Sequence, residues 1–214
     1  MMILGLTGSI GMGKSTATRA FARHGATIWD ADAAVHRLMA RGGAAVTAVT
    51  AAFPEARVEE SGDVAVDRPT LGKLVFQDAV ALRQLESILH PMVRRAERRF
   101  LATAKSRRCR LVVLDIPLLF ETGGDARCDA TAVVSAPEFV QRARVLARAN
   151  MTVHKYDAIL ARQMSDGEKR RRADFVIRTG LNKRDSEQTI RRVADILVAR
   201  RGTHWPLCWP ATAS

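Results

Sequence analysis

Aromatic residues, cysteine and long apolar runs are scarce in this sequence, and each shortage argues against a class of function. Aromatic residues make up 5% of the 214 residues, too few for the stacking platforms that bind single-stranded nucleic acids. Cys109, Cys128 and Cys208 are widely spaced and form no C-x-x-C pair, so we expect reduced thiols rather than disulfides or zinc ligands. No apolar run approaches the roughly 18 residues of a membrane span, and no export signal is visible at the amino terminus. We therefore expect a cytoplasmic protein that does not bind membranes.

The remaining composition is that of a globular α/β protein with one unusual property, its charge. The length suits one domain with insertions, and 47% hydrophobic and 26% charged residues are ordinary proportions. The net charge of +12 could reflect solvated helix faces, a nucleic-acid surface or a small polyanionic substrate. Because the arginines are spread over several predicted helices and aromatic residues are few, we do not expect nucleic acid as the main partner.

A glycine-rich loop near the amino terminus is the most informative stretch. Residues 8–15 have the sequence GSIGMGKS, which satisfies G-x-x-x-x-G-K-[ST], the phosphate-binding loop of nucleotide triphosphatases and small-molecule kinases. The apolar run at 2–6 predicts a buried strand before the loop. Ala17, Ala20 and Phe21 have helical spacing and predict a helix after it. The context is therefore the strand, loop and helix that this motif requires.

The chemistry of the loop predicts a bound nucleoside triphosphate. Glycines allow successive backbone N–H groups to point at phosphate oxygens, and the first turn of the following helix adds further N–H donors. Lys14 is expected to reach the β- and γ-phosphates, and the Ser15 hydroxyl to bind Mg²⁺. A dinucleotide fingerprint fits less well, because Thr16 stands where its third glycine belongs.

Aspartates follow two of the other predicted strands. Asp30 and Asp32 follow the strand at 26–29, and Asp115 follows the apolar run at 111–114. Ligands of open parallel sheets bind beyond the carboxyl ends of the strands, so we expect these carboxylates on the same edge as the phosphate loop. Asp115 is typical of the acid that orients Mg²⁺ or its water shell. One aspartate of the first pair could instead cap the helix that follows.

The order of the elements predicts a nucleotide-binding core with two helical segments inserted in it. Residues 31–106 contain no obvious parallel strand and predict an acceptor-binding insertion, with a kink or break at Pro91. Residues 137–172 are helical and arginine-rich with few apolar anchors, and predict a lid; a plain surface hairpin is the alternative. The core comprises residues 1–30, 107–136 and 173–202. A last helix begins at Asn182 or Asp185 and ends at Gly202, and 203–214 form a tail whose packing the sequence leaves open.

Several further motifs occur in a specific order. After the phosphate loop the chain carries Asp30-Ala31-Asp32, Asp67-Arg68, Ile88-Leu89-His90-Pro91, Asp115-Ile116-Pro117-Leu118-Leu119-Phe120-Glu121, Gln141, Arg144, Arg148, Arg162-Gln163-Met164 and Lys169. Together they resemble the dephospho-coenzyme A kinase family from Ile3 to about Ala199. The chain departs from the family at Arg178-Thr179-Gly180, where the family usually has Asn and a small residue before Gly. That region looks like part of the adenine pocket, so the departure bears on nucleotide preference.

The resemblance implies a fold, a reaction and a set of site residues. The fold is a P-loop NTPase-type three-layer α/β/α domain over residues 1–202, with a mainly parallel five-stranded sheet, a helical substrate-binding insertion and a helical lid. The reaction is phosphorylation of the 3′-hydroxyl of the ribose of dephospho-coenzyme A by ATP with Mg²⁺, by a protein expected to be a monomer. The implied catalytic residues are Asp32, Lys14 and Arg144; the ATP-binding residues are Gly8, Gly11, Met12, Gly13, Lys14, Ser15, Thr16 and Arg148; the acceptor-binding residues are Asp32, Arg68 and His90; and the metal-binding residues are Ser15 and Asp115. His90 could equally be a structural hydrogen bonder beside Pro91.

Three other users of a phosphate loop fit part of the sequence. Residues 182–185 match N-K-x-D, a guanine-reading motif of GTPases, but the D-x-x-G that should follow the metal strand is missing at 115–118. Asn182 and Asp185 are also common helix-capping residues. A nucleoside monophosphate kinase would share the loop and the lid, and an RNA- or DNA-stimulated ATPase would suit the positive charge.

Overall fold

A five-stranded parallel sheet positions the phosphate loop. The computed structural model describes residues 1–60, 62–180 and 182–209. Its strands are β1 (Met2–Thr7), β2 (Thr27–Asp30), β3 (Arg57–Glu60), β4 (Asp63–Val66), β5 (Leu111–Asp115), β6 (Ala130–Ser135) and β7 (Phe175–Arg178). The sheet has the order β2-β5-β1-β6-β7, and all four pairings in it are parallel. The predicted parallel α/β fold is confirmed.

Helices follow the strands and form the two intervening segments. They are α1 (Lys14–Arg23), α2 (Ala31–Met39), α3 (Val46–Ala52), α4 (Arg68–Gln77), α5 (Ala79–Ser106), α6 (Glu138–Leu146), α7 (Val153–Ala161), α8 (Asp166–Arg172) and α9 (Lys183–Val198). Side chains cap four of the described helices: Asp78, Thr152, Ser165 and Asn182 each accept a hydrogen bond from a backbone N–H in the first turn. Capping by Asn182 confirms that interpretation of the N-K-x-D segment. Within the described part of the chain, no helix has the length and apolar character needed to cross a membrane.

The chain forms two compact units. The first comprises Met1–Asp30 and the described residues from Leu101 onward. Its core lies on the sheet, because strand residues that are buried on both faces pack against the apolar sides of α1 and α9. Members of this core include Leu4, Leu6, Phe21, Leu111, Val113, Val134, Ile177, Ile190 and Leu197.

The second unit, Ala31–Phe100, has a core of its own. It contains α2 to α4, most of α5 and the antiparallel hairpin of β3 and β4. Its core brings together Met39, Val46, Val49, Phe53, Val66, Leu71, Leu85 and Leu89. The hairpin is antiparallel, in agreement with the expectation that residues 31–106 contain no parallel strand.

Two boundaries differ from the predicted ones. A kink or break was expected at Pro91, and α5 continues through it without a break. Proline removes one helical hydrogen bond, but Leu85, Leu89 and Met92 on either side of Pro91 pack in the core of the second unit, and tertiary packing supplies most helical stability. The last helix was expected to reach Gly202 but ends at Val198. At Gly202 the backbone passes so close to the carbonyl of Met1 that a Cβ atom would overlap it, so the chain has already left the helical path.

Candidate active site

The loop between β1 and α1 has a backbone shape that needs glycine. Gly11 and Gly13 have φ angles of +78° and +90°, in the left-handed region that other residues rarely adopt. A Cβ atom at Gly11 would overlap the side chain of Val145, and one at Gly13 would lie 3.0 Å from Thr179 Oγ1. The loop is thus packed closely against α6 and the segment after β7, and its glycines serve both curvature and contact.

Lys14 and Asp115 form an ion pair at the carboxyl edge of the sheet. The Lys14 ammonium contacts Asp115 Oδ1, and Thr18, one turn further along α1, donates a hydrogen bond to Asp115 Oδ2 over 2.6 Å. Asp115 is 4% exposed and lies opposite Leu6 and Asp30 in the registers of the neighbouring strands. Lys14 and Asp115, which are 101 positions apart in the sequence, are therefore in contact. Thr18 was missed, because a threonine in a helix carries no signal of such a role.

Two glutamines hold the backbone of the loop at Ile10, one on its N–H and one on its carbonyl. The N–H of Ile10 donates to Gln163 Oε1 over 3.1 Å, and Gln141 Nε2 donates to the carbonyl of Ile10 over 2.8 Å. Gln141 is buried on α6, and Gln163 follows α7. A backbone group enclosed in protein needs such partners, so these two side chains, noted in the sequence only as family motif residues, fix the path of the loop.

Arg144 and Arg148, the two predicted lid cations, differ in their surroundings. Arg144 Nη2 donates to the carbonyl of Thr179 over 2.7 Å, and the hydroxyl of Thr179 donates to the carbonyl of Met12. Arg148 is exposed and makes no side-chain hydrogen bond or ion pair with the residues that the structure describes. The structure therefore brings Arg144 to the phosphate loop and leaves Arg148 in solvent.

The segment after Asp115 is supported by a buried ion pair. Lys169 is fully buried, and its ammonium lies 2.9 Å from Glu121 Oε1 and 3.4 Å from the carbonyl of Pro117. The same carbonyl accepts a hydrogen bond from Thr7 Oγ1 over 2.9 Å. Glu121 Oε1 also accepts from the N–H of Met164 over 2.8 Å. These contacts connect the end of β1 and the segment around the start of α8 to the turn that follows Asp115.

The predicted acceptor residues belong to the second unit. Asp32 is exposed in the first turn of α2. Arg68 begins α4, and its guanidinium contacts the ring of His36, with Nη1 3.2 Å from Nδ1. Since His36 is four residues after Asp32, both lie on one side of α2. That spacing was visible in the sequence, but His36 was not singled out. His90 is exposed on α5 and makes no side-chain hydrogen bond or ion pair within the described residues.

The strand-loop-helix arrangement on a five-stranded parallel sheet, with a lysine and an aspartate meeting at its carboxyl edge, defines a P-loop kinase of small molecules. A model of the dephospho-CoA kinase family matches residues 2–185. A dephospho-CoA kinase of Paramagnetospirillum magneticum is 62% identical over 79% of this chain and 78% of the relative. Another from Mesorhizobium japonicum is 50% identical over 95% of this chain and 100% of the relative.

Solved structures agree with this assignment. The crystal structure of TT1252 from Thermus thermophilus superposes with a TM-score of 0.76 and is 36% identical, covering 94% of this chain and 98% of that one. The dephospho-CoA kinase of Campylobacter jejuni has a TM-score of 0.61 over 91% of this chain and 96% of its own, and at 22% identity it supports the fold alone.

The chain belongs to the dephospho-CoA kinase family. This family catalyses the last step of coenzyme A biosynthesis, an ATP-dependent phosphorylation of dephospho-coenzyme A. The family resemblance drawn from the sequence motifs is confirmed.

Proposed function

We propose that this chain transfers the γ-phosphoryl group of MgATP to the ribose 3′-hydroxyl of dephospho-coenzyme A by means of the residues inferred from its sequence. The observation that carries this proposal is the meeting of Lys14 with Asp115 where β1 and β5 end. A phosphate-binding lysine and a metal-site acid must act on the same triphosphate, and the sheet places them side by side.

The phosphate loop would hold ATP. The backbone N–H groups of Gly8, Gly11 and Gly13 would face the phosphates with that of Ser15. Those of Met12 and Thr16, which donate to the carbonyls of Ser9 and Gly13, would turn to the phosphates when ATP binds. The side chains of Ser15 and Thr16 are exposed at the start of α1. Lys14 would turn from Asp115 to the β- and γ-phosphates. Arg144, already beside the loop, and Arg148, free in solvent, would add positive charge over the transferring group.

Mg²⁺ would neutralise the charge of the phosphates, and the residues present fit it. Magnesium prefers oxygen ligands and keeps several of its waters; the chain offers the Ser15 hydroxyl and the Asp115 carboxylate. Thr18 donates to one carboxylate oxygen of Asp115, and the other oxygen, which Lys14 would leave on turning to the phosphates, could then accept a hydrogen bond. We therefore assign Ser15 as the direct ligand and Asp115 as an acceptor of hydrogen bonds from magnesium-bound water.

Asp32 would accept the proton of the 3′-hydroxyl as its oxygen bonds to the γ-phosphorus and the bond to the ADP oxygen breaks. A base in this role typically contributes ~10²–10⁴-fold to the rate. Arg68 and His90 would bind the anionic portions of the acceptor. The exposed ring of His90 has no described partner, which favours substrate binding over a structural hydrogen bond.

We further propose a cytoplasmic monomer that needs neither nucleic acid nor membrane. The three cysteines are free thiols, as expected in a reducing compartment. The paucity of aromatic side chains offers little for nucleobases to stack on.

The direct test is to mix the protein with MgATP and dephospho-coenzyme A and to identify the product by mass spectrometry and phosphorus NMR. The expected product is coenzyme A, formed by phosphorylation of dephospho-coenzyme A at the ribose 3′ position, with one ADP released for each coenzyme A. Lys14→Ala should abolish turnover, whereas Lys105→Ala, at the end of α5, should not. Faster reaction with GTP, with nucleoside monophosphates as acceptors, or with added RNA or DNA would support the rival functions instead.

A further inference from the structure

Thr179 lies immediately after β7, at the position where the sequence departs from its family. Its backbone N–H donates to the carbonyl of Ser135 over 2.8 Å, which extends the pairing of β6 and β7 by one residue. The main chain of Thr179 is thereby anchored to the sheet, and the orientation of its side chain follows from the strand that precedes it.

The hydroxyl of Thr179 serves two partners at once. It donates to the carbonyl of Met12 in the phosphate loop and lies 3.4 Å from Arg144 Nη1, from which it can accept. A threonine hydroxyl has one donor and two acceptor positions, so both roles are compatible. Hydrogen bonds in such a chain polarise and strengthen one another. The loop carbonyl and the arginine are therefore connected through one side chain.

Arg144 has no other orienting contact in the described chain. Both hydrogen bonds that its guanidinium makes there go to Thr179, one to the hydroxyl and the shorter one, 2.7 Å, to the carbonyl. Arginine loses less freedom on binding when its planar group is oriented in advance. Removal of the Thr179 hydroxyl would take away one of the two hydrogen bonds of Arg144 and, at the same time, the hydrogen bond to the Met12 carbonyl.

We propose that Thr179 is a positioning residue that couples the phosphate loop to Arg144 and thereby sets the affinity for ATP. The inference rests on the proposed function, in which both partners of Thr179 act on the triphosphate. It assigns a role to a position where this chain differs from its family, through contacts that involve neither Asp32 nor any residue of the second unit.

The test compares three variants by steady-state kinetics. Thr179→Val keeps the shape and removes the hydroxyl; we expect the KM for ATP to rise about tenfold, the effect of losing a hydrogen bond to a charged group, while the KM for dephospho-coenzyme A stays unchanged. Thr179→Ser keeps the hydroxyl and should restore most of the wild-type value. Thr189→Val is the matched control, because among the described residues that hydroxyl hydrogen-bonds only to the carbonyl of Asp185 in its own helix, over 2.9 Å. If Thr179→Val does not fold, Thr179→Ala replaces it.

A double-mutant cycle separates coupling from a general structural effect. With Arg144→Ala as the background, Thr179→Val should change the KM for ATP by less than threefold, because the arginine that the hydroxyl orients is already gone and only the hydrogen bond to the Met12 carbonyl is lost. An unchanged KM for ATP in Thr179→Val, or the same factor in both backgrounds, would overturn the proposal.

Binding of a fluorescent ATP analogue to the same four proteins repeats the cycle without any acceptor. If the wild-type protein makes no coenzyme A, the proposed function fails while the binding cycle still decides the coupling. If coenzyme A is made and the binding cycle is additive, only the coupling is refuted.

Discussion

The ion pair of Lys14 and Asp115 brings the proposed phosphate-binding cation and the proposed metal-site acid into direct contact. Each satisfies the other in a partly enclosed place, where an unpaired charge would be costly. Thr18 donates to the second oxygen of Asp115 and would keep the carboxylate oriented while Lys14 contacts a phosphate. Thr18 would thus maintain the orientation of the Asp115 carboxylate during turnover.

Asp32 is the residue whose proposed role can be tested with the least disturbance. Asp32→Asn keeps the size of this exposed side chain and removes its basicity, so we expect kcat to fall by ~10²–10⁴-fold, with little change in the binding of ATP. Turnover under saturating substrates and the Kd of an ATP analogue provide the two measurements. Turnover near that of the wild type would remove Asp32 from the role of base.

The ion pair of Lys169 and Glu121 should matter for stability. Lys169→Met would leave Glu121 partly buried, with its Oε2 atom already lacking a hydrogen bond, and breaking one side of a buried pair costs about 3–5 kcal/mol. The free energy of unfolding in urea measures this loss. Arg23→Met breaks an exposed pair with Glu187 and should cost less than about 1 kcal/mol.

The double variant Lys169→Met with Glu121→Leu distinguishes the charge from the shape of the site. Replacing both charges by apolar groups removes the isolated carboxylate, so much of the stability should return. A double variant no more stable than Lys169→Met would show that packing, rather than charge, explains the loss.

Residue roles differ in how far the sequence alone can predict them. Lys14, Ser15 and Asp115 follow from spacing, because phosphate and metal chemistry demands those groups just after strands. Thr18 and Gln163 could not be predicted in the same way, since what they contact depends on how distant segments pack. Their side chains form hydrogen bonds with backbone and carboxyl groups that many residue types could also satisfy.

At the level of elements, the phosphate loop and α6 constrain each other through Gly11. Gly11→Ala would introduce a methyl group into the space of Val145 and place alanine at a φ of +78°. Gly123 also has a positive φ, +65°, but open space around it. We expect Gly11→Ala to lose roughly 1–3 kcal/mol more stability than Gly123→Ala, the usual cost of overpacking.

Thermal and urea unfolding of both glycine variants measures the difference, and ATP binding should weaken only in Gly11→Ala. Equal losses in the two variants would mean that backbone strain alone makes glycine necessary at position 11.

The strands were the most predictable elements, and the connections the least. Short apolar runs that end in a polar residue mark buried parallel strands well, and β5 has the bounds expected from its sequence. Helix α3, in which Val46 and Val49 are buried, was not predicted, because its seven residues are too few to show a helical pattern of apolar positions. The unbroken α5 shows that packing on both sides of a proline can outweigh a local signal that normally ends a helix.

At the scale of the whole molecule, the described part of the tail packs at the amino ends of β1 and β6. The buried carboxylate of Asp129 accepts hydrogen bonds from the N–H groups of Ile3, Thr203 and His204 and from the His204 ring. Trp209 is buried and donates to the carbonyl of Arg127 over 3.1 Å. Residues 203–209 therefore pack, which the sequence had left open; 210–214 lie outside the described residues.

Asp129 should make the attachment of the tail sensitive to acid. Burial raises the pKa of Asp129, but the hydrogen bonds from His204, Thr203 and Ile3 outweigh it, so the pKa lies below its ordinary value. A carboxyl group with a lowered folded-state pKa stabilises the protein above its unfolded-state pKa of about 3.9, and this contribution is lost as the pH falls through the folded-state pKa.

Asp129→Asn should therefore lower the free energy of unfolding by about 1–3 kcal/mol at neutral pH. The difference in unfolding free energy between the variant and the wild type should become smaller below about pH 4. Urea unfolding followed by tryptophan fluorescence between neutral and acid pH measures the gap. A gap that stays constant with pH would exclude the charge of Asp129 as the source of the attachment.

The glutamine pair on Ile10 has a consequence for the timing of catalysis. Gln141 and Gln163 hold the carbonyl and the N–H of Ile10, which belong to successive peptide groups of the loop, so α6 cannot shift without either moving the loop at Ile10 or breaking the hydrogen bond from Gln141. ATP binding and the movement of α6, the helix that carries Arg144, should then have a single relaxation time. A transient-state kinetic trace of ATP binding would show one phase, whereas two independent motions would give two.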